Sequence, residues 1–114
     1  MEIKIEIYKT ISGKCPFDVW FEKISEIHTR AKILTRLDRL KLGNFGDCKN
    51  LGNGVSELRI FYGPGIRIYY TKINNKLILL LCGGDKGSQT KDIKKAKEYL
   101  KDLQSKEENY DKKK

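Results

Sequence analysis

An α+β domain is the fold class this sequence predicts: one strand, a helical hairpin, an antiparallel sheet of three to four further strands, and a C-terminal helix. Three observations carry the prediction. The first segment alternates strictly, with Ile3, Ile5 and Ile7 on one side and Glu2, Lys4 and Glu6 on the other. Two stretches of helical spacing follow, and then the pattern turns to β until a last helical stripe.

Each element can be justified in order. After the first strand, SGKCP makes a turn, and Pro16 suits the first position of a helix. Phe17, Trp20, Phe21, Ile24 and Ile27 give that helix its apolar face. Ala31, Leu34, Leu37 and Leu40, with Ile33 as a further candidate, mark a second helix that stops near Gly43. A short strand is open within Phe45 to Leu51; Val55 to Tyr62 and Ile66 to Ile73 are clearer strands. The Asn74-Asn75 turn leads to Leu77–Cys82, apolar at successive positions and therefore expected to be central and covered on both faces. Beyond GGDKG, Ser88 or Thr90 can cap a last helix, whose stripe is Ile93, Ala96, Tyr99, Leu100 and Leu103.

With 114 residues the chain predicts one domain, residues 1–104, with a single modest core and a charged, flexible tail at 105–114. Its longest apolar run is too short to span a bilayer, and the N-terminus lacks the apolar core of a signal peptide, so a cytoplasmic protein without membrane contact is expected. Cys15, Cys48 and Cys82 are widely spaced, and His28 is the sole histidine; this predicts reduced thiols and no metal site. The net charge of +9 points to a polyanion or an acidic protein as partner.

SELRIFYGPGIRIYYTK, Ser56 to Lys72, reads as a β-hairpin that carries charge. By parity Leu58 and Ile60 share a face with Ile66, Ile68 and Tyr70, so Glu57, Arg59, Arg67 and Tyr69 share the other. A three-residue loop, Gly63-Pro64-Gly65, predicts Tyr62 opposite Ile66, Arg59 opposite Tyr69, and the two arginines as diagonal neighbours on an outward face. Two readings of this face are open. Glu57 neutralises Arg59, or the guanidiniums hold a phosphate, for which their rigid fork of donors is suited.

GGDKGSQTK is open to two readings as well, an anion site at the N-terminus of the last helix with Lys86 in reach, or a plain strand-to-helix turn. It lacks the spacing of a nucleotide-binding P-loop. The second helix points Arg30, Lys32, Arg36, Arg39 and Lys41 outward against Asp38 alone, as a solvated face or an RNA-binding surface; Lys91 is added to the RNA-binding set from the last helix.

LGNFGD, then GVSELRIFYGPGIRIYYTK, then LLLCGGDKGSQTKDIKKAKEYL together resemble the RelE/ParE toxin superfamily, and within it the HigB-like addiction-module killer proteins. The resemblance spans nearly the whole chain and implies a RelE-like fold. It implies a toxin of a type II toxin–antitoxin system, a metal-independent, cofactor-free endoribonuclease that cuts mRNA in the ribosomal A site. Its implied partners are mRNA, the ribosome, and a co-encoded antitoxin with a helix-turn-helix DNA-binding domain. The implied chemistry is attack of a ribose 2′-hydroxyl on the adjacent phosphorus. Arg67 aligns with the family's phosphate-binding strand arginine, Arg59 with a second basic strand residue, and Lys86 with a loop arginine. The family's strand lysines are replaced by Val55 and Glu57, its C-terminal tyrosine by Lys91 or Asp92, and its histidines have no counterpart. That leaves Glu57 or Asp85 as a base, and Tyr69 or Tyr70 as an acid or positioning group. Two alternatives stand beside the nuclease: a ParE-like, non-catalytic inhibitor of DNA gyrase, and a degenerate toxin that acts only as an antitoxin-binding regulatory subunit.

Overall fold

A computed structural model of the protein describes residues 2–112, with side chains described up to residue 105. The order of elements is β1 (Lys4–Ile7), α1 (Pro16–Glu22), α2 (Ile27–Lys41), β2 (Cys48–Gly52), β3 (Val55–Ile60), β4 (Ile66–Ile73), β5 (Leu77–Asp85), a single 3₁₀ turn (Lys86–Ser88) and α3 (Gln89–Lys112). The expected α+β succession is therefore present, the doubtful strand before Val55 included. The flexible tail expected from residue 105 coincides with the last turns of α3, and side chains from 106 onward lie outside the described residues.

The strands form one five-stranded sheet in the order β1-β5-β4-β3-β2. Its four later strands are antiparallel, but β1 runs parallel to β5, with Lys4 opposite Leu77 and Ile7 opposite Leu80. The four later strands are antiparallel as expected, and the parallel addition of β1 makes the whole sheet mixed. Chain order could not fix this pairing, because β1 departs into the helices and the chain re-enters the sheet at the opposite edge.

Helix ends follow local chemistry. Pro16 sits at the start of α1, where its missing amide donor costs nothing. The Glu26 carboxylate accepts from the amides of His28 and Thr29 and so caps α2. At the other end, the Gly43 amide donates to Leu40 O and the Asn44 amide to Arg39 O, a Schellman closure that places Gly43 at φ +84°.

The sheet is covered on both faces. On the α1 and α2 side, Leu58, Ile60, Ile66, Ile68, Tyr70, Ile78 and Leu80 pack with Phe17, Ile33 and Leu40. On α2 Ile33 and Leu40 are buried and Leu37 is partly buried beside them; the Leu34 expected there is half exposed, and Ile27 lies mostly in water. On the other side, Tyr8, Val55, Tyr69, Leu79, Leu81 and Cys82 pack with Ala96 and Leu100 of α3. A bulge between Tyr69 and Tyr70 turns Leu81 and Cys82 to the same side. The hairpin face read as outward is therefore the floor of a second core: α3 needed a partner for its apolar stripe and took this face.

Candidate functional site

The strands of the hairpin keep the expected parity but pair in a different register. Ile60 pairs with Ile66, Leu58 with Ile68, and Glu57 with Tyr69, so Arg59 and Arg67 stand directly opposite each other instead of diagonally. β3 ends at Ile60, and Phe61 to Gly65 form a five-residue connection. The Tyr62 amide donates back to Ile60 O, and the Gly65 amide to Tyr62 O. The Arg59 amide is spent on Asp47 O, toward β2, which makes Arg59 and Arg67 a non-hydrogen-bonded pair with closely spaced side chains.

Two guanidiniums so placed repel unless each has an anion. Arg59 turns to Asp47, Nη2 to Oδ1 at 3.0 Å. Arg67 lies along Glu57, Nε to Oε2 at 4.0 Å, with both side chains almost fully buried. Glu57 thus serves Arg67 and not Arg59. Gln89, in the first turn of α3, donates Nε2 to Glu57 Oε2 at 2.8 Å and closes the carboxylate from above. Arg67 Nη1 donates to the carbonyl of Ile66, at 3.3 Å. Among the described residues, the Nε atoms of both arginines and the Tyr69 hydroxyl are buried without a partner in good hydrogen-bond geometry, the hydroxyl lying within reach of the Glu57 carboxylate. Burial, and then the neighbouring Glu57 charge, hold the Tyr69 phenol far above its ordinary range, so it stays protonated.

The cluster reaches the surface at the loop end of the hairpin. A depression of about 330 Å³ lies there, bounded by the loop, Arg67 and Lys86. The Lys86 amide donates to Gly65 O at 2.8 Å, which ties the end of β5 to the loop. Gly65 has φ +81°, a conformation that residues with side chains rarely adopt, while a Cβ there would make only ordinary contact with Lys86 Cβ at 3.4 Å and Arg67 Nη1 at 3.5 Å.

GGDKGSQTK proves to be a well-capped turn. Asp85 accepts from the Ser88 amide, and Ser88 Oγ is returned to the Asp85 amide and also donates to Asp92. Gly84 has no room for a side chain, since a Cβ would lie 1.9 Å from Asp92 Oδ2. Asp85 is committed to this cap.

The basic residues of α2 divide. Arg30 donates to the carbonyls of Ile24 and Phe21 and stacks 4.4 Å over the Phe21 ring, so it ties α1 to α2. Arg36 donates to Phe45 O at 3.1 Å and steadies the chain before β2. Lys41 stands 3.9 Å from Asp38 on an exposed turn. Lys32 sits 5.0 Å over the Tyr62 ring. With Arg36, Arg39, His28 and Phe61 it lines a second depression, of about 390 Å³, between α2 and the hairpin loop. Lys91 is exposed on α3 and takes no part in either depression.

Four contributors escaped sequence reasoning: Asp47, Gln89, Phe61 and the Glu26–Tyr62 bond of 2.9 Å. Asp47, Gln89 and Glu26 gave no signal, because their partners are distant in the chain. Phe61 did give one, a large apolar side chain next to Gly-Pro-Gly where the strand ends.

These features define an α+β domain with a helix pair on one face of a mixed sheet, a long helix on the other, and a cationic mouth at one hairpin loop. No protein-family model matches the chain. It is 48% identical over 87 residues to an uncharacterized protein of Haemophilus influenzae, a match covering 76% of this chain and 88% of the relative. The chain belongs to the family of that protein.

Proposed function

We propose that the protein is the toxin of a type II toxin–antitoxin pair, a cytoplasmic endoribonuclease that cleaves mRNA in the ribosomal A site. The motif resemblance motivates the reading, and one observation carries it: the Arg67 guanidinium. Glu57 holds it from behind, and it opens with Lys86 on a depression lined by no acidic residue among the described residues. Such a fork, fixed before a substrate arrives, suits a phosphate.

In the proposed reaction the 2′-oxygen bonds to phosphorus and the bond to the 5′-oxygen breaks. The products are a 2′,3′-cyclic phosphate and a free 5′-hydroxyl. The 2′-hydroxyl gives up a proton and the leaving oxygen receives one. Arg67 and Lys86 meet the charge that grows on the non-bridging oxygens. Arg59 is engaged with Asp47 and lines neither depression. Glu57 and Tyr69 are sealed beneath α3, so in this scheme they position Arg67 and exchange no proton with RNA.

That burial also favours a second reading, a non-catalytic inhibitor of DNA gyrase, because it takes the candidate base and acid off the surface. An antitoxin partner belongs to either reading.

The deciding experiment maps cleavage of a defined mRNA in a purified translation reaction, with and without ribosomes. Wild type is compared with Arg67→Ala and with Lys86→Ala, each verified as folded by its thermal melt. The exposed Lys86 can be removed without disturbing the core. Ribosome-dependent cuts that weaken at least tenfold in both variants support the nuclease. Intact mRNA from folded wild type, together with inhibited supercoiling by gyrase, supports the second reading instead.

A further inference from the structure

We infer that the exposed Phe61 ring is a stacking platform for one unpaired RNA base, with the flanking phosphates held by Lys32 and Arg39 on one side and by Arg67 and Lys86 on the other. The inference rests on the nuclease reading and adds how the strand is gripped.

Phe61 is 78% exposed, although an aromatic ring of this size usually finds cover. Its neighbours explain how it stays out. Tyr62 is drawn down onto α2 by its 2.9 Å bond to Glu26, with Lys32 over its ring. The loop is closed at both ends by backbone bonds, Tyr62 N to Ile60 O and Lys86 N to Gly65 O. The ring therefore stands on a tethered loop and not on a loose one.

Phe61 is also the wall shared by the two depressions, and no acidic side chain lines either. Cations on both sides of an exposed aromatic residue suit a nucleic-acid strand, in which phosphates flank each base. Both hollows lie at the lower end of ligand-site volumes, the size class of one small ligand each. An acidic peptide would match the charge but not the shape. A protein partner's aromatic or aliphatic anchor needs a pocket to enter, whereas Phe61 is a ridge. Every base has a π-face, so a ridge is all that stacking requires, and the grip should tolerate different sequences.

The test is fluorescence anisotropy with a labelled hexa-adenylate RNA and the same RNA carrying one central abasic residue, at low salt. Wild type, Phe61→Ala and Phe61→Trp are compared. Wild type is expected to bind the intact RNA about 5- to 100-fold more tightly than the abasic one. Phe61→Ala loses that discrimination and binds both as wild type binds the abasic strand. Phe61→Trp restores it, and its added indole emission is quenched on binding. Equal wild-type affinity for both RNAs overturns the platform; if mRNA cleavage still depends on Arg67, the nuclease reading survives. No RNA binding at all, with no cleavage, ends both. A Phe61→Ala variant that retains full RNA discrimination but no longer holds its co-encoded antitoxin also overturns it, and makes Phe61 a protein anchor.

Discussion

The two faces of the sheet are built from the same strands and solve burial differently. Under α1 and α2 the fully buried strand residues are Leu, Ile and one Tyr, with Cys48 packed beside them, a surface satisfied mainly by non-directional apolar contact. Under α3 the same strands bury Glu57, Arg67 and Thr71 beside Tyr69 and Val55. Among the described residues, the three buried polar side-chain atoms without a hydrogen-bond partner belong to that second face. The first face is made for stability. The second retains charge where apolar residues would fit, and a buried ion pair seldom stabilises more than its apolar replacement. What the pair does achieve is a guanidinium fixed in place at the mouth.

Substitution should expose the asymmetry. The largest loss is expected when one partner of the pair is removed: Arg67→Ala leaves Glu57 as an uncompensated buried charge, at about 3–5 kcal/mol. Leu58→Ala, on the aliphatic face, opens a cavity and costs about 2–5 kcal/mol. Replacing both charges with apolar residues, Glu57→Leu with Arg67→Met, is expected to be neutral or to stabilise by about 1–4 kcal/mol. Urea unfolding of the three variants measures all of this in one series. A double variant as unstable as Arg67→Ala would mean that the ion pair holds the second face together, and the contrast between the faces would collapse. A stable double variant without cleavage would sharpen it into stability on one side and activity on the other.

The first face was legible in the sequence because its signal is periodic. Alternation at Leu58, Ile60, Ile66, Ile68 and Tyr70 sorts side chains by parity, and parity survives a register error of two residues. Register itself depended on where β3 stopped, and Gly-Pro-Gly allowed a loop of three or five residues with the same parity. The second face was half legible. Leu77–Cys82 called for cover on both sides, while the charged hairpin spoke for water on one. The first held and the second did not: Glu57 and Arg67 are buried on a face that is apolar along β5 and polar toward the loop, and the first turn of α3 brings Gln89 over the polar part. Which face a helix with one apolar stripe will choose is a tertiary matter that local pattern does not encode. The same limit hid the division within α2. Arg30 and Arg36 look like Lys32 and Arg39 in sequence, and only the carbonyls they reach set them apart.

The smallest effect concerns the hinge between the two regions, where Glu26 caps α2 and anchors Tyr62 beneath the exposed Phe61. Hydrogen bonds, first from the His28 amide and also from Tyr62 and Thr29, hold the Glu26 carboxyl below its ordinary value of 4.5. A carboxyl lowered on folding stabilises the folded state fully above its unfolded value, and that contribution is lost as pH falls through the folded one. Between neutral pH and 5, amide exchange at His28 and Thr29 should therefore be pH-independent once corrected for intrinsic rates. Below about 4.5 it should accelerate, and the Tyr62 ring resonances should shift in parallel as the loop loses its tether. Glu26→Gln keeps an acceptor but cannot titrate, so the acid-induced change should disappear while the fold persists. Protection that holds unchanged to pH 3 in the wild type would show that the cap does not depend on charge. The loop would then owe its position to Lys32 and the backbone closures alone, and the cationic mouth would keep its shape without any help from α2's first turn.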